Sequence, residues 1–195
     1  MNTIILKSKS GLFFLDENGF VFKFEPDNTN PITEELTSTN THYHYQTSKS
    51  IRTLIVPEGV KGFCNNFNIR NIKVLERFEL PEGLLYLGNQ KLGVNYVFAN
   101  CVLPEVKIPS TVLEVGDFAF GHSDIGTLWL PPTLKSKYLR QFKDSHIGTL
   151  YLPRTWESYC KMENDHYSFN IPSDLINEYG FLLWYSTKVD EVIYY

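Results

Sequence analysis

Five histidines are the side chains of this 195-residue chain that are best suited to chemistry near neutral pH. His42 and His44 alternate with tyrosine in Thr-His-Tyr-His-Tyr, so both point to one side of an extended segment. With a third ligand they could bind a metal ion, yet no cysteine or carboxylate lies beside them in the sequence. Two neighbouring histidines without such partners are more often ordinary loop residues, and we expect the same here.

The remaining histidines fall at predicted turns. His122, His146 and His166 recur at similar intervals along the chain. A repeating fold would bring His122 close to His146, and Asp124 or Asp144 could then complete a metal site as a further ligand. The polarity that turns require explains these residues equally well. The sequence therefore contains a second weak candidate site.

The three cysteines, Cys64, Cys101 and Cys160, are far apart in the sequence and form no Cys-x-x-Cys pair. An odd number cannot form a closed set of disulfides, so we expect buried free thiols in a reducing compartment. Cys64 paired with a loop histidine has no local signature, and the chain lacks a phosphate-binding glycine loop, Gly-x-Ser-x-Gly and His-Glu-x-x-His. We therefore predict a protein without catalysis and without cofactors. The alternative is a metal-dependent or cysteine-based enzyme that uses the loop histidines.

Composition narrows the class of partner. The 18 basic and 22 acidic residues give a net charge of −4, which disfavours nucleic acid. A hydrophobic content of 43% and an aromatic content of 15% indicate a folded core. No apolar run approaches the roughly 20 residues of a membrane span, and the first residues do not resemble a signal peptide. We expect a cytoplasmic protein, or a secreted or surface-exposed one if a leader has been removed.

Prolines mark the elements that must position these residues. A short motif, apolar-x-apolar-Pro, recurs five times at nearly regular intervals, and a looser sixth copy follows at Phe169–Pro172. Alternating apolar residues are typical of a short half-buried strand, and proline ends the strand because it cannot donate to a ladder. The five clear copies are Leu54–Pro57, Phe78–Pro81, Val106–Pro109, Leu128–Pro131 and Leu150–Pro153.

Apolar residues also recur at fixed distances after each proline. Three residues on come Val60, Leu84, Val112, Leu134 and Trp156. Six residues on come Phe63, Leu87, Val115 and Tyr159, with Lys137 as the exception, and Phe98, Phe120 and Phe142 share a third equivalent position. One such coil cannot bury its own apolar face, so neighbouring coils must stack. We predict a repeat solenoid with a short parallel β-sheet along one side and few short helices.

Residues 51–159 resemble the BspA-type bacterial leucine-rich repeat. That family combines a strand ending in Ile-Pro or Leu-Pro, an apolar-x-x-apolar-Gly step and an Ala-Phe-x-x-Cys-like turn, and the best copy here is Val106–Phe120. Val97–Cys101 matches the turn, and Leu150–Tyr159 is similar to a terminal unit closed by a short helix. The resemblance implies a right-handed leucine-rich-repeat coil with Cys101 at a packing position. It also implies a binding scaffold with divergent ligands, often surface-exposed or secreted.

The flanks of the repeats have a different pattern. We predict that residues 1–50 form an N-terminal cap, a β-meander of three strands followed by a polar loop, with Asn18-Gly19 as a hairpin turn. Residues 51–154 form the solenoid of about five repeats, and residues 155–195 form a C-terminal cap of helices and strands. The strands of the meander are expected near residues 3–6, 12–15 and 20–24. In the C-terminal cap we expect helices near residues 155–162 and 173–179, and strands near 181–186 and 189–195.

The residue between the two apolar positions of each strand points away from the core. These outward residues are Ile55, Glu79, Lys107, Trp129, Tyr151 and Asn170. Two positions before the first five lie Thr53, Arg77, Glu105, Thr127 and Thr149, and Tyr167 lies three positions before Asn170. Stacked strands would place Glu79 beside Lys107 and Arg77 beside Glu105 as complementary pairs. The ladder therefore combines charged pairs with an aromatic pair.

Trp129 and Tyr151 are the residue types that anchor protein partners when they are exposed on a sheet. The competing interpretation is that the aromatic tail, with Trp184, Tyr185, Tyr194 and Tyr195, covers them as part of a cap. We predict a non-catalytic protein-interaction module that binds a protein partner through the sheet face. The binding residues would be Trp129, Tyr151, Lys107, Glu79 and Arg77. A glycan-binding surface and a homodimer through the aromatic face are alternatives, and the sequence does not define the oligomeric state.

Overall fold

The computed structural model describes residues 3–27, 51–64, 67, 69–73, 75–88, 96–134, 141–163, 166–169 and 187–195. These residues fold into short β-strands with one 3-10 helix, Arg154–Tyr159. None of their helices is long and apolar enough to cross a membrane. The predicted second helix near residues 173–179 and the strand near 181–186 lie outside the described residues.

The strands follow the chain in order. They are β1 (Ile4–Ser8), β2 (Gly11–Leu15), β3 (Phe20–Pro26), β4 (Thr53–Ile55), β5 (Gly62–Phe63), β6 (Arg77–Glu79), β7 (Tyr86–Leu87), β8 (Val102–Lys107), β9 (Glu114–Val115), β10 (Asp124–Trp129), β11 (His146–Leu152), β12 (Cys160–Glu163), β13 (His166–Phe169) and β14 (Lys188–Tyr194). The predicted meander is therefore confirmed in all three strands.

Two four-stranded sheets dominate the structure. The first has the order β1-β2-β3-β5, in which the antiparallel meander is joined in parallel to β5 of the first repeat. The second has the order β14-β11-β10-β8, and all of its pairings are parallel. The shorter strands form the two-stranded pairs β4-β6, β7-β9 and β12-β13. Among the described strands, the sheet that the outward ladder needs is therefore continuous only across β8, β10, β11 and β14.

Each predicted proline begins the same turn. The carbonyl of the proline accepts a hydrogen bond from the amide three residues later, and that later residue is apolar. In the first two turns the residue before the donor is Gly59 or Gly83, with φ of 92° and 91°, which glycine adopts without strain. The donor–acceptor pairs are Val60–Pro57, Leu84–Pro81, Val112–Pro109, Leu134–Pro131 and Trp156–Pro153, at 3.4, 3.3, 3.1, 3.2 and 2.8 Å.

Phenylalanines fill the centre of the core at the predicted equivalent positions. Phe98, Phe120 and Phe142 are at most 1% exposed. The ring of Phe120 lies 5.6 Å from that of Phe98 and 5.2 Å from that of Phe142, centroid to centroid. Phe63 continues the row with an edge-on contact to Phe98 at 5.5 Å. Such aromatic pairs add to the stabilisation from burial alone.

A column of buried hydroxyls runs beside the phenylalanines and was not predicted. Ser123 Oγ donates to the carbonyl of Phe98 at 3.1 Å, and Ser145 Oγ donates to that of Phe120 at 2.8 Å. Each oxygen also accepts an amide of the preceding coil, from Cys101 in one case and from Ser123 in the other. Thr187 repeats the contact on the carbonyl of Phe142 at 2.7 Å. Because buried carbonyls and amides need partners, this column links successive repeats.

The C-terminal region departs from the sequence prediction. The helix expected near residues 155–162 is a 3-10 helix that ends at Tyr159, and β12 follows at once. Of the looser sixth copy, Phe169 ends β13, which pairs antiparallel with β12, and residues 170–172 lie outside the described residues. The next parallel strand is β14, where Val189 and Val192 lie in register with Ile147 and Leu150 of β11. The predicted strand near 189–195 is thus confirmed, and it takes the place of the sixth repeat strand.

Candidate functional site

The outward ladder of the parallel sheet brings three of the predicted binding residues together. The register aligns Lys107, Trp129 and Tyr151 on neighbouring strands, and Ile193 of β14 extends the same row. The flanking apolar positions are buried in the core, as the alternation of a strand requires. Trp129, Tyr151 and Ile193 are half-buried, and Lys107 is exposed.

Trp129 and Tyr151 form a tight stack. Their ring centroids lie 3.6 Å apart with an angle of 7° between the planes. The Lys107 ammonium lies 5.5 Å from the centroid of the Trp129 ring, and the indole N–H donates to Glu105 Oε1 at 3.1 Å. The stack, its cation–π contact and this hydrogen bond hold the indole in one orientation. We call the surface formed by Trp129, Tyr151, Lys107, Glu105 and Ile193 the aromatic patch.

The end of the chain contacts the aromatic patch without burying it. The Tyr195 ring lies 5.6 Å from that of Trp129, and its hydroxyl donates to the carbonyl of Leu130 at 2.8 Å. Partial burial raises the pKa of the Tyr195 phenol. Tyr195 itself stays 49% exposed, whereas Tyr194 packs against the core. Tyr195 is therefore part of the same surface. The other predicted covering residues, Trp184 and Tyr185, lie outside the described residues.

The other two predicted binding residues lie on β6, which is adjacent to β8 but belongs to a different hydrogen-bonded sheet. Arg77 and Glu79 are exposed on β6, which pairs with β4 in a two-stranded sheet and not with β8. Although β6 lies beside β8, no ion pair among the described residues joins Glu79 to Lys107 or Arg77 to Glu105, so the two predicted complementary pairs are not formed. The guanidinium of Arg77 binds the carboxylate of Glu79 on its own strand, and Lys107 Nζ binds Glu105 Oε1 at 3.2 Å. Residues two apart share a face of a strand, so each charge reaches its neighbour along the chain.

The turn histidines do not form one site. His122 Nδ1 lies 3.7 Å from the carboxylate of Asp144, and His146 Nδ1 lies 3.0 Å from Asp124. His146 Nε2 also contacts Asp190 of β14 at 2.6 Å. Hydrogen bonding to Asp190, and then to Asp124, raises the pKa of His146. His166 lies on β13, and His42 and His44 lie outside the described residues.

Serine, histidine and aspartate are neighbours in His122-Ser123-Asp124 and in Asp144-Ser145-His146. The hydroxyls of both serines point into the core and bind backbone groups, so neither is presented to a histidine as a nucleophile. Within the described ranges, no group of three or more histidine, cysteine or acidic side chains could hold a metal ion.

The cysteines are free thiols that their surroundings keep protonated. Burial, followed by the nearby charge of Asp16, raises the pKa of Cys64 to about 11, and burial raises that of Cys101 to about 11. Burial also raises the pKa of Cys160. The side chain that Cys64 Sγ contacts by a hydrogen bond is Asp16, at 3.8 Å from Oδ2, and not a histidine. A reactive cysteine needs a lowered pKa, so the described surroundings act against nucleophilic chemistry.

Strands, turns and a buried column that recur from repeat to repeat define a repeat protein. Comparison with known families identifies which one: the BspA type leucine rich repeat region matches residues 93–192 in six copies. The match covers about half of the chain and extends into β14, and the chain belongs to this family. No curated protein and no solved structure matches it.

Proposed function

We propose that the chain is a non-catalytic interaction module that binds a protein partner through the aromatic patch. Its family supports a protein-interaction role in general terms. We further propose that the coils form a right-handed solenoid with the patch on its sheet side. The support for the handedness is physical, because parallel strands joined by a crossover are right-handed in nearly all known cases.

The stack of Trp129 on Tyr151 is the observation that carries this proposal. Tryptophan and tyrosine dominate the binding energy of protein interfaces, and they act best when they are already held in place. Here the contacts of Glu105 and Lys107 fix the indole before any partner arrives. A partner would therefore lose little of its binding free energy to ordering these side chains.

The geometry favours a protein over a sugar. A sugar ring stacks on an open aromatic face. One face of the Trp129 ring is covered by Tyr151, and the Lys107 ammonium lies 5.5 Å from the centroid of the same ring. What remains open is the edge of the stack together with Ile193 and Tyr195. An irregular surface of ring edges and an aliphatic side chain suits the side chains of a protein. Arg77 and Glu79 would then contribute to the polar rim of the interface.

The experiment is affinity capture followed by a direct measurement of binding. A tagged chain captures partners from an extract of the source cells, and each partner is purified and titrated against the double variant Trp129→Ala/Tyr151→Ala. We expect the affinity to fall at least about 30-fold, which corresponds to roughly 2 kcal/mol. Leu113→Ala is the matched control, because Leu113 is 54% exposed and lies outside the sheet. Unchanged affinity of every partner for the double variant would refute the assignment.

A cytoplasmic location forms part of the same proposal. Three free thiols, of which Cys101 and Cys160 are buried, favour a reducing compartment. A secreted or surface-exposed chain would remain consistent with the fold. Localisation of a fluorescent fusion of the full-length gene product distinguishes the two.

A further inference from the structure

His146 connects three strands of the parallel sheet. It lies on β11, and its two ring nitrogens contact Asp124 on β10 at 3.0 Å and Asp190 on β14 at 2.6 Å. A neutral imidazole has one N–H and can donate to only one of these carboxylates, whereas an imidazolium donates to both. The geometry therefore fits the protonated ring.

The other charged groups around the ring do not replace this role. Lys188 of β14 faces His146 in the register, but its ammonium binds Asp190 Oδ1 at 3.0 Å and lies on the same strand as that carboxylate. Asp144, on the turn before β11, pairs with His122. When protonated, His146 is thus the cation whose ion pairs bridge from β11 to both neighbouring strands.

The strand that His146 holds is an unusual one. The repeat strands β10 and β11 begin at Asp124 and His146, one repeat length apart, but β14 begins at Lys188, almost two repeat lengths after β11, and follows the β12-β13 hairpin. It also carries Ile193 and leads directly to Tyr195, which flank Trp129 and Tyr151. Its attachment to β11 therefore determines whether one side of the aromatic patch is complete.

We propose that Asp124, His146 and Asp190 form a pH-dependent staple that fastens β14 to the sheet when His146 is protonated and loosens it when the proton leaves. The consequence for partner binding rests on the function proposed above. A fastened β14 keeps Ile193 beside Tyr151 and Tyr195 beside Trp129, and a loosened β14 leaves the patch incomplete. The staple thus makes partner binding sensitive to pH.

The sign of the effect follows from two pKa shifts. The pKa of His146 is raised, so the staple is complete below the ordinary histidine value of about 6.5 and is lost as the pH rises through the raised value. The pKa of Asp190 is lowered, first by Lys188 and then by His146. That contribution is present above the ordinary aspartate value of about 3.9 and is lost as the pH falls through the lowered value. The staple is therefore strongest between about pH 4 and 6.5.

Hydrogen exchange of β14 tests the staple without any partner. Deuterium uptake of a peptide covering residues 187–195 is measured at pH 5.5 and pH 8.0 and corrected for the intrinsic exchange rate. We expect the population of opened β14 to rise roughly 2- to 5-fold at pH 8.0, the size expected for partly exposed ion pairs. In His146→Gln the ratio between the two pH values should fall to about 1.

His122→Gln is the matched control, because His122 also pairs with an aspartate but that partner, Asp144, lies off β14. This variant should keep the ratio of the native chain. Asp190→Asn provides a second test if His146→Gln folds poorly, and it should reduce the ratio as well. A native ratio of 1, or a ratio that His146→Gln leaves unchanged, would overturn the staple. If β14 opens as expected while a captured partner binds equally well at both pH values, the link to the patch is wrong and the partner site itself stands.

Discussion

The N-terminal repeats (residues 51–88) and the C-terminal repeats (residues 96–195) share a core but differ in their surface. Leu54 and Phe78 are buried in the first group, and Val106 and Leu128 are buried in the second, each with at most 7% exposure. The strands β4 and β6 have three residues each, whereas β8, β10 and β11 have six or seven and join a four-stranded sheet. The stack of Trp129 on Tyr151 lies on the second group.

The difference shows that repeats with the same pattern of buried apolar residues can have two different exposed surfaces. The copies β8, β10 and β11 follow one another at a constant interval and align residue by residue, so that a lysine, a tryptophan and a tyrosine come into one row. In the earlier copies the outward positions hold Ile55 and Glu79, and the carboxylate of Glu79 binds Arg77 of the same strand. A surface patch thus needs both aligned strands and suitable residues at the outward positions, since β4 and β6 are also in register but place Ile55 beside Glu79.

The largest expected effect tests whether the two cores are equivalent. Phe63 and Phe120 are at most 1% exposed, and each contacts two aromatic rings. Replacing either with alanine should cost about 3–5 kcal/mol of unfolding free energy, because a large cavity remains. Chemical denaturation of both variants measures the cost. A clearly smaller loss of unfolding free energy for Phe63→Ala than for Phe120→Ala would show that the N-terminal repeats are packed less well.

The next effect tests how closely the C-terminal strands approach. A Cβ at Gly148 would lie 2.7 Å from the carbonyl oxygen of Gly126 on the neighbouring strand, so one backbone must move. Gly148→Ala should cost about 1–3 kcal/mol, as overpacking does in a core. Thr149→Ala, one residue along on the half-exposed face, should stay within about 0.5 kcal/mol. Equal thermal midpoints for the two variants would contradict the close approach.

A smaller effect concerns the buried hydroxyl column. Ser145→Ala removes the donor to the Phe120 carbonyl and the acceptor of the Ser123 amide. We expect a loss of about 1–2 kcal/mol from groups left without partners in the core. Ser110→Ala is the control, since that hydroxyl is on an exposed turn.

In the N-terminal repeats the position eight residues before Pro81 is Lys73, whose exposed ammonium binds Asn100 instead. The column is therefore expected to matter most in the C-terminal repeats.

Much of the fold follows from local chemistry that the sequence displays. Alternating apolar residues before a proline predicted β4, β6, β8, β10 and β11, because each feature acts within a few residues of chain. The stacking of Trp129 on Tyr151 also follows from equal spacing. The resemblance to the BspA-type repeat was correct for the same reason.

The sequence predictions fail where a strand is positioned by contacts with residues far away in the sequence, or where one residue type suits more than one structural role. β14 has no proline and is separated from β11 by the hairpin, so its motif, Val189 to Tyr195, does not resemble the other copies. The copy at Phe169–Pro172 resembles the pattern more closely, yet its described residue, Phe169, ends a strand that pairs with β12. Ser123 and Ser145 occupy equivalent positions of neighbouring copies and were a signal for the column, yet serine is equally common in turns.

The smallest effect concerns the chemical reactivity of the Cys64 thiol in the N-terminal repeats. Burial and the neighbouring Asp16 raise the pKa of Cys64 to about 11, so little thiolate exists at pH 8. Alkylation of Cys64 in the native chain should be at least about tenfold slower than in the unfolded chain, where the ordinary value near 8.5 applies. Mass spectrometry of iodoacetamide-treated samples measures both rates. Equal rates would contradict the described surroundings of this thiol.

The most direct test of the central claim compares the two surfaces with one purified partner. Isothermal titration would give its affinity for the native chain, for Trp129→Ala/Tyr151→Ala and for Arg77→Ala/Glu79→Ala. We predict a loss of at least about 30-fold for the aromatic pair and of less than about 3-fold for the charged pair, because buried aromatic anchors outweigh rim charges. A larger loss for the charged pair, or equal losses for both, would contradict a binding surface centred on Trp129 and Tyr151.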